Sequence, residues 1–103
     1  MIRRLILKDH ISSVIITGAS GGIGQALARR FAREGYRLFL HACRHMDLLQ
    51  QQAQDLILKY GVPVFTLQAD LSHYADLHQM FQTILQEDPA PDCLINNAGI
   101  SFF

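Results

Sequence analysis

Charge is scarce in this sequence, and no long apolar run is present. Only 17% of the 103 residues are charged and the formal net charge is zero. We therefore expect neither a disordered chain nor a polyanion-binding surface, and no nucleic-acid partner. The apolar run at residues 5–7 is too short for a signal peptide or a membrane span, and Lys8 and Asp9 close it. These absences predict a cytoplasmic protein with no membrane partner.

Cysteine is also scarce, with only Cys43 and Cys93 present. Both lie at the ends of predicted strands, where reduced, packed thiols are the ordinary state outside secreted proteins. A disulfide between them is the less favoured alternative. The sequence shows no repeat, low-complexity segment or linker, and its length is that of one domain with one core.

Apolar residues follow two alternating spacings along the chain. Short, mostly apolar blocks predict strands over residues 13–17, 36–42, 63–69 and 93–96. Apolar residues at three- and four-residue spacing predict helices over residues 22–34, 47–60 and 74–87. The side chains expected on the inward faces of the second and third helices are Leu48, Leu49, Leu56, Tyr60, Leu77, Phe81, Ile84 and Leu85.

Four strands that alternate with three helices predict an α/β fold with a parallel sheet, because each return to the same strand direction needs a crossover helix. If the fourth strand reverses past the first, the strand order is 3-2-1-4 and ligands bind beside strand one, at the switch point of a Rossmann-type sheet. Helix three then lies alone on one face. The doubly wound fold is incomplete, and we expect self-association through the exposed fourth strand and the uncovered sheet face.

The segment TGASGGIG, residues 17–24, joins the first strand to the first helix. A helix N-terminus suits a phosphate, and residues without side chains let the phosphate come close. The alternative is that Gly18 and Gly21 satisfy a tight turn and Gly24 lets the helix pack on the strand. No lysine followed by serine or threonine comes after the glycines, which excludes the phosphate loop of nucleoside triphosphatases.

Two further motifs follow, ADLS at residues 69–72 and NNAG at residues 96–99. With TGASGGIG they resemble the three successive cofactor motifs of the short-chain dehydrogenase/reductase family, in the same order and at similar spacing. The resemblance extends from about residue 12 to the C-terminus. Among subfamilies, LFLHACR and NNAGIS are most similar to the 3-oxoacyl-[acyl-carrier-protein] reductases. The resemblance implies an NAD(P)-dependent oxidoreductase.

The resemblance also implies cofactor-binding roles for particular residues. Those that would surround the pyrophosphate and the adenine ribose are Gly18, Ser20, Gly22, Ile23 and Gly24. Those that would face the adenine ring are Asp70 and Leu71, and those that would line the ribose and nicotinamide side are Asn97, Ala98 and Gly99. Two alternatives stay open: Asp70 caps a helix together with Ser72, and Asn96 or Asn97 ties strand four to its neighbours.

Cofactor choice depends on the end of strand two. The family pattern places the acidic residue that accepts from the ribose hydroxyls of NAD at Ala42, which cannot do so. Arg44, two residues later, can bind the extra phosphate of NADP, so NADP is favoured over NAD. The alternative for Arg44 is a solvated loop residue. The H-x-C-x-H pattern of His41, Cys43 and His45 lacks a fourth ligand and is not expected to hold a metal.

No catalytic residue can be assigned. The family uses a tyrosine with a lysine four residues later as the general acid, together with a serine. The residues four positions after Tyr36, Tyr60 and Tyr74 are Leu40, Val64 and His78.

We therefore interpret residues 1–103 as a partial NAD(P)-binding domain, truncated after strand four and inactive alone. It would be the NADP(H)-binding portion of a reductase of a ketone or 3-oxoacyl thioester. The alternatives are a non-catalytic dinucleotide-binding or strand-edge interaction module, and a pseudogene product.

Overall fold

The computed structural model describes residues 11–98, which form four strands and three helices. In chain order the elements are β1 (Ser13–Thr17), α1 (Gly22–Arg33), β2 (Arg37–Ala42), α2 (Met46–Tyr60), β3 (Val64–Gln68), α3 (Tyr74–Glu87) and β4 (Cys93–Asn96). Every predicted element is present, and no boundary differs from its predicted position by more than one residue. Within residues 11–98, no helix has the length and apolarity needed to cross a bilayer.

The four strands form one parallel sheet in the order β3-β2-β1-β4, which confirms the predicted topology. β1 is central, and Ile15 is paired with Phe39 of β2 on one side and with Leu94 of β4 on the other. All five residues of β1 are buried because strands flank it and both of its faces pack against side chains. The β-branched block of the sequence therefore occupies the most enclosed position in the sheet.

Each face of the sheet carries its own apolar cluster. On one face, Val14, Ile16, Leu38 and Leu40 pack with the buried side chains of α1 and α2. On the other face, the cluster of buried residues is Ile15, Phe39, Ala69, Met80 and Ile84. As expected, α1 and α2 share one face while α3 covers the other alone, because the chain reverses direction across the sheet after β3.

Two helix residues that we expected to face inward are exposed. Leu48 of α2 and Leu85 of α3 are each 47% exposed, so both predictions are wrong. The buried stripe of α2 runs through Leu49, Ala53 and Leu56, and a neighbour one position away is turned by about 100° around the helix. In α3 the buried positions are Met80 and Ile84. A helix packed on only one side buries a narrower stripe than its apolar pattern predicts.

The two cysteines are free, as expected, but only one of them is partly packed. Cys93 lies in β4 at intermediate exposure, whereas Cys43 follows the last residue of β2 and is exposed. Our expectation that both thiols are packed is therefore wrong for Cys43. The sheet encloses side chains only as far as its last paired residue, and Ala42 is the last residue of β2 that pairs with β3.

β4 is an edge strand in the part of the chain that the structure describes. It pairs with β1 alone, and Leu94 is 54% exposed although its partner in β1, Ile15, is buried. Leu94 lies on the α3 face, where one helix does not reach across all four strands. The predicted gap in the cover of this face is therefore present at β4.

Candidate functional site

The sequence-predicted residues gather at one edge of the sheet. Parallel strands all end at the same edge, and the segments that follow β1, β2, β3 and β4 contain the glycines, Arg44, Asp70 and Asn97 respectively. We call residues 17–24 the glycine turn. The turn lies next to the switch point, because β1 is flanked by β2 on one side and by β4 on the other.

Gly18 and Gly24 are glycines for reasons of backbone geometry. Gly18 has a φ of +61°, and a Cβ added to it would lie 3.0 Å from the Cα of Ala98. A Cβ on Gly24 would lie 2.6 Å from both the Cα of Ala19 and the carbonyl oxygen of Gly18. These two positions therefore fulfil the alternative interpretation, in which glycine permits a tight turn and the close packing of helix against turn.

Gly21 and Gly22 have no such requirement. A Cβ on Gly22 would meet nothing within 4 Å, and one on Gly21 would meet only the carbonyl oxygen of Gly18, at 4.0 Å. Neither residue has a positive φ. Packing therefore explains only part of the motif, and the two middle glycines leave open space in front of the helix. That space is where an anion can approach the backbone.

The N-terminus of α1 has no anionic or capping side chain of its own. Gly21 is the N-cap residue, no side chain caps the helix, and no acidic residue lies in its first turn. The first N–H groups of a helix lack intrahelical acceptors, and the helix dipole places about half a positive charge there. The side chain of Gln25 turns back and donates to the carbonyl oxygen of Ser20 at 2.9 Å, which holds the turn, while Ile23 is exposed beside it.

Hydrogen bonds tie the end of β4 to the glycine turn. The Thr17 hydroxyl donates to Oδ1 of Asn96 at 3.0 Å and accepts from the N–H of Ala98 at 3.2 Å. Nδ2 of Asn97 donates to the carbonyl oxygen of Gly18 at 2.9 Å. Both asparagines therefore have the tying role that we had left open. Ala98 lies against Gly18, and the predicted site residue Gly99 lies outside the described residues.

Asp70 is held in a turn before α3 by several partners. Its Oδ1 accepts from the Ser72 hydroxyl at 2.6 Å and from the Ser72 N–H at 3.0 Å, and Oδ2 lies 3.2 Å from Nδ1 of His73. The Ser72 hydroxyl and then the Ser72 N–H are the main causes that lower the pKa of Asp70. The helix-cap alternative is wrong, because the N-cap of α3 is His73 and no side chain caps that helix. Leu71 packs against the apolar cluster beneath α3.

Arg44 lies in the exposed loop after β2. Its positive charge is one of the weaker causes that lower the pKa of Asp70, so the loops after β2 and β3 share one electrostatic environment. Arg44 precedes His45, which has a φ of +60° and starts α2. Among residues 11–98, no group of three or more His, Cys, Asp or Glu is placed to hold a metal ion.

His41 is the site residue that the sequence reasoning did not assign. It is 2% exposed; its Nδ1 accepts from the N–H of Gly18 at 3.1 Å, and its Nε2 donates to the carbonyl oxygen of Ala69 at 2.8 Å. Burial lowers the pKa of His41, and the bond to Ala69 opposes that effect. The only sequence signal for it is strand alternation, which places a polar ring inside a buried strand where it needs partners.

This arrangement defines a class of protein. A parallel sheet of order β3-β2-β1-β4, with a glycine-rich turn that opens a helix at the switch point, is a Rossmann-type dinucleotide-binding architecture. The family model for short chain dehydrogenases matches residues 12–103. The chain belongs to the short-chain dehydrogenase family of NAD(P)-dependent oxidoreductases.

Two curated relatives illustrate the relationship. The uncharacterized oxidoreductase YgfF of Escherichia coli is 39% identical over 88 residues, which cover 85% of this chain and 35% of that protein. The 3-oxoacyl-[acyl-carrier-protein] reductase FabG of Staphylococcus epidermidis is 32% identical over 89 residues, covering 86% of this chain and 36% of that protein. The chain thus spans about a third of the length of the curated relatives it matches.

Solved structures also resemble the chain. A short-chain dehydrogenase from Sphingobium yanoikuyae in complex with NADPH is 46% identical with a TM-score of 0.74, over 84% of this chain and 33% of that one. An alcohol dehydrogenase from Thermococcus sibiricus complexed with 5-hydroxy-NADP is 36% identical with a TM-score of 0.78, over 82% of this chain and 36% of that one.

Proposed function

We propose that this chain binds NADP(H) at the carboxyl edge of its sheet and serves as the cofactor-binding portion of a reductase. The observation that carries the proposal is the open space at Gly22 in front of an uncapped helix N-terminus. No contact within the described part of the chain requires glycine there, whereas a pyrophosphate approaching the backbone does. Two structures similar to this chain are complexes with NADPH and with 5-hydroxy-NADP.

The residues of this edge would divide the dinucleotide among them. The residues proposed to surround the pyrophosphate and adenine ribose are Gly18, Ser20, Gly22, Ile23 and Gly24. Asp70 and Leu71 are proposed to face the adenine ring, and Asn97, Ala98 and Gly99 the ribose and nicotinamide. Asp70 is ionised in the neutral pH range, since its pKa is lowered, and its carboxylate can accept from the exocyclic amine of adenine.

NADP is the proposed cofactor rather than NAD. Ala42 at the end of β2 is buried and offers no carboxylate to a ribose hydroxyl. Arg44, two residues on, is exposed, close enough to Asp70 to affect its pKa, and able to bind a phosphate through two N–H groups. A phosphate on the adenine ribose would bring negative charge to this arginine.

The reaction proposed for the whole enzyme is reduction of a ketone or a 3-oxoacyl thioester. Bound NADPH supplies a hydride to the carbonyl carbon, and a general acid must protonate the oxygen. None of the three tyrosines has a lysine four residues later, so we propose that residues 1–103 are a partial NAD(P)-binding domain without turnover of its own. We place this enzyme in the cytoplasm, which suits its free cysteines.

Self-association is part of the proposal. Within residues 11–98, the outer edge of β4 pairs with no other strand. Leu94 of β4 is 54% exposed on the incompletely covered face of the sheet. An open edge with apolar side chains beside it pairs readily with another chain. We propose that two copies associate through β4 and the sheet face at Leu94.

Titration of the 103-residue chain with NADPH, followed by calorimetry, tests the proposed function. Gly22→Glu would place a carboxylate in the open space and should weaken NADPH binding by at least about tenfold, through repulsion of the pyrophosphate. Gln82→Glu adds the same charge on an exposed position of α3 and should leave the affinity unchanged. Equal affinity of Gly22→Glu and Gln82→Glu for NADPH would refute the proposed site. Absence of NADPH binding by the unsubstituted chain would refute it as well.

A further inference from the structure

We propose that His41 is a positioning residue, whose ring holds the glycine turn in register with the end of β3 so that one dinucleotide can contact both. This inference rests on the proposed function. The ring bonds to the N–H of Gly18 on one side and to the carbonyl oxygen of Ala69 on the other. Gly18 belongs to the segment proposed to hold the pyrophosphate, and Ala69 directly precedes Asp70, which is proposed to face adenine.

Among residues 11–98, no strand pairing joins these two segments directly. β1 and β3 are not neighbours, since β2 lies between them. The backbone of β2 reaches each side separately, because the carbonyl oxygen of His41 accepts from the N–H of Ala19 at 2.8 Å and that of Ala42 accepts from the N–H of Ala69 at 3.3 Å. The imidazole of His41 bonds to both segments with one rigid, buried group.

Hydrogen bonds hold Gly18 from β2 on one side and from the segment after β4 on the other. Its N–H donates to His41 of β2, and its carbonyl oxygen accepts from Asn97, just after β4. With a φ of +61° its peptide groups are turned out of the usual strand orientation. The N–H of Gly18 is met by a side chain, that of His41. Loss of this bond would free the start of the turn without unpairing any strand.

The two ring bonds can be removed separately. The amide oxygen of asparagine occupies about the position of Nδ1 of histidine, so His41→Asn keeps an acceptor for Gly18 and loses the bond to Ala69. The amide nitrogen of glutamine reaches about as far as Nε2, so His41→Gln keeps a donor for Ala69 and loses the bond to Gly18. His41→Leu removes both bonds at similar volume. His78→Leu and His78→Asn, on an exposed face of α3, are matched controls.

Two ligands distinguish positioning from general destabilisation. 2′-Phospho-ADP-ribose contains the pyrophosphate and the adenine and must reach both segments, whereas 2′-AMP lacks the pyrophosphate and would meet the turn through its ribose alone. We expect His41→Leu to lower the affinity for 2′-phospho-ADP-ribose about tenfold, which corresponds to about 1.4 kcal/mol. The affinity for 2′-AMP should fall by less than about threefold. We expect His41→Asn to bind 2′-phospho-ADP-ribose more tightly than His41→Gln, since the Gly18 bond holds the turn itself.

Hydrogen exchange of the Gly18 amide gives a readout that needs no ligand. Its protection should fall about tenfold or more in His41→Leu and His41→Gln but persist in His41→Asn and in both His78 variants, with urea unfolding recorded for each variant. Equal weakening of both ligands would show a merely structural role and overturn the proposal, as would unchanged binding in His41→Leu. If the unsubstituted chain binds neither ligand nor NADPH, the proposed function itself fails; if it binds and the variants do not differ, only the role of His41 fails.

Discussion

Gly18 and Ala98 approach each other so closely that a single added methyl group would bring the two chain segments into conflict. A Cβ on Gly18 would lie 3.0 Å from the Cα and 3.1 Å from the N of Ala98. The segment just after β4 therefore lies directly on the turn that follows β1. Because of this contact, the backbone of Ala98 helps to shape the glycine turn.

The glycines of the turn should separate into two groups by substitution. Gly18→Ala should lower the free energy of unfolding by about 1–3 kcal/mol, because it combines a positive φ with a backbone contact that must open. Gly22→Ala should leave stability unchanged or raise it by up to about 1 kcal/mol, since alanine meets nothing there and favours the helix. Urea unfolding measures both. Equal destabilisation by the two variants would contradict the packing assignment.

Arg44 should decide between the two nicotinamide cofactors. Arg44→Ala should weaken NADPH binding by about tenfold or more, in line with the loss of a charge-assisted phosphate contact, and leave NADH binding unchanged. Arg33→Ala removes an exposed arginine from the last turn of α1 and is the matched control. Titration of each variant with both cofactors is the measurement. NADPH binding no tighter than NADH binding in the unsubstituted chain would refute the role of Arg44.

His41 should make the stability of the fold depend on pH. Burial lowers the pKa of His41 in the folded chain below its ordinary value of 6.5, and the bond to Ala69 opposes this shift. As the pH falls, His41 therefore takes up a proton in the unfolded chain before it does so in the folded chain. The free energy of unfolding is highest above about pH 6.5 and falls as the pH drops below that value toward the folded pKa. The hydrogen bonds agree with this sign, because a proton on Nδ1 would face the N–H of Gly18.

Urea unfolding between pH 7.5 and 5 checks this dependence, with His41→Asn as the comparison because asparagine does not titrate. The carboxyl next to Ala69 along the chain is Asp70, whose pKa is lowered below 3.8; its contribution is lost only in a more acidic range, so the two effects do not overlap. If the unsubstituted chain and His41→Asn lose stability in parallel over this range, His41 is not the group responsible.

The exposed face at β4 should govern self-association. Leu94→Lys should shift the chain toward monomer in sedimentation velocity, because it adds charge to an uncovered sheet face. Leu58→Lys is the matched control, since Leu58 of α2 is 85% exposed and lies on the outer surface of a helix. A chain that is already a monodisperse monomer at high concentration, or an equal effect of both variants, would refute this interface.

The 103-residue chain should not reduce carbonyl compounds. With NADPH present at saturation, we expect no oxidation of the cofactor above background with simple ketones or 3-oxoacyl thioesters, since no tyrosine has a lysine four residues later. Absorbance of the reduced nicotinamide follows the reaction. Turnover that persists in a Gly22→Glu variant would point to a contaminating enzyme, whereas turnover abolished by that variant would refute the prediction.

Short-range patterns were enough to predict the elements and their order. The apolar block of residues 13–17 identified the central strand, and Gly61, with a φ of +68°, ends α2 where the sequence predicted. These features depend on local backbone preference and on burial of contiguous residues, both of which can be read along one segment. The preferred hand of crossover connections gave the strand order only together with the assumption that the fourth strand reverses past the first, which the structure confirms.

Contacts between distant segments could not be predicted in this way. Only the tertiary structure showed that Gly18 and Gly24 are required by packing while Gly22 faces open space, because the neighbouring atoms belong partly to residues 19 and 98. The structure also showed that Leu48 and Leu85 are exposed, although the sequence predicted that both face inward. The sequence by itself determined which backbone segments form and which residues reach the carboxyl edge. The tertiary structure decided that His41 joins two of those segments, because a buried ring bonds to whatever donor and acceptor the folded chain brings to it.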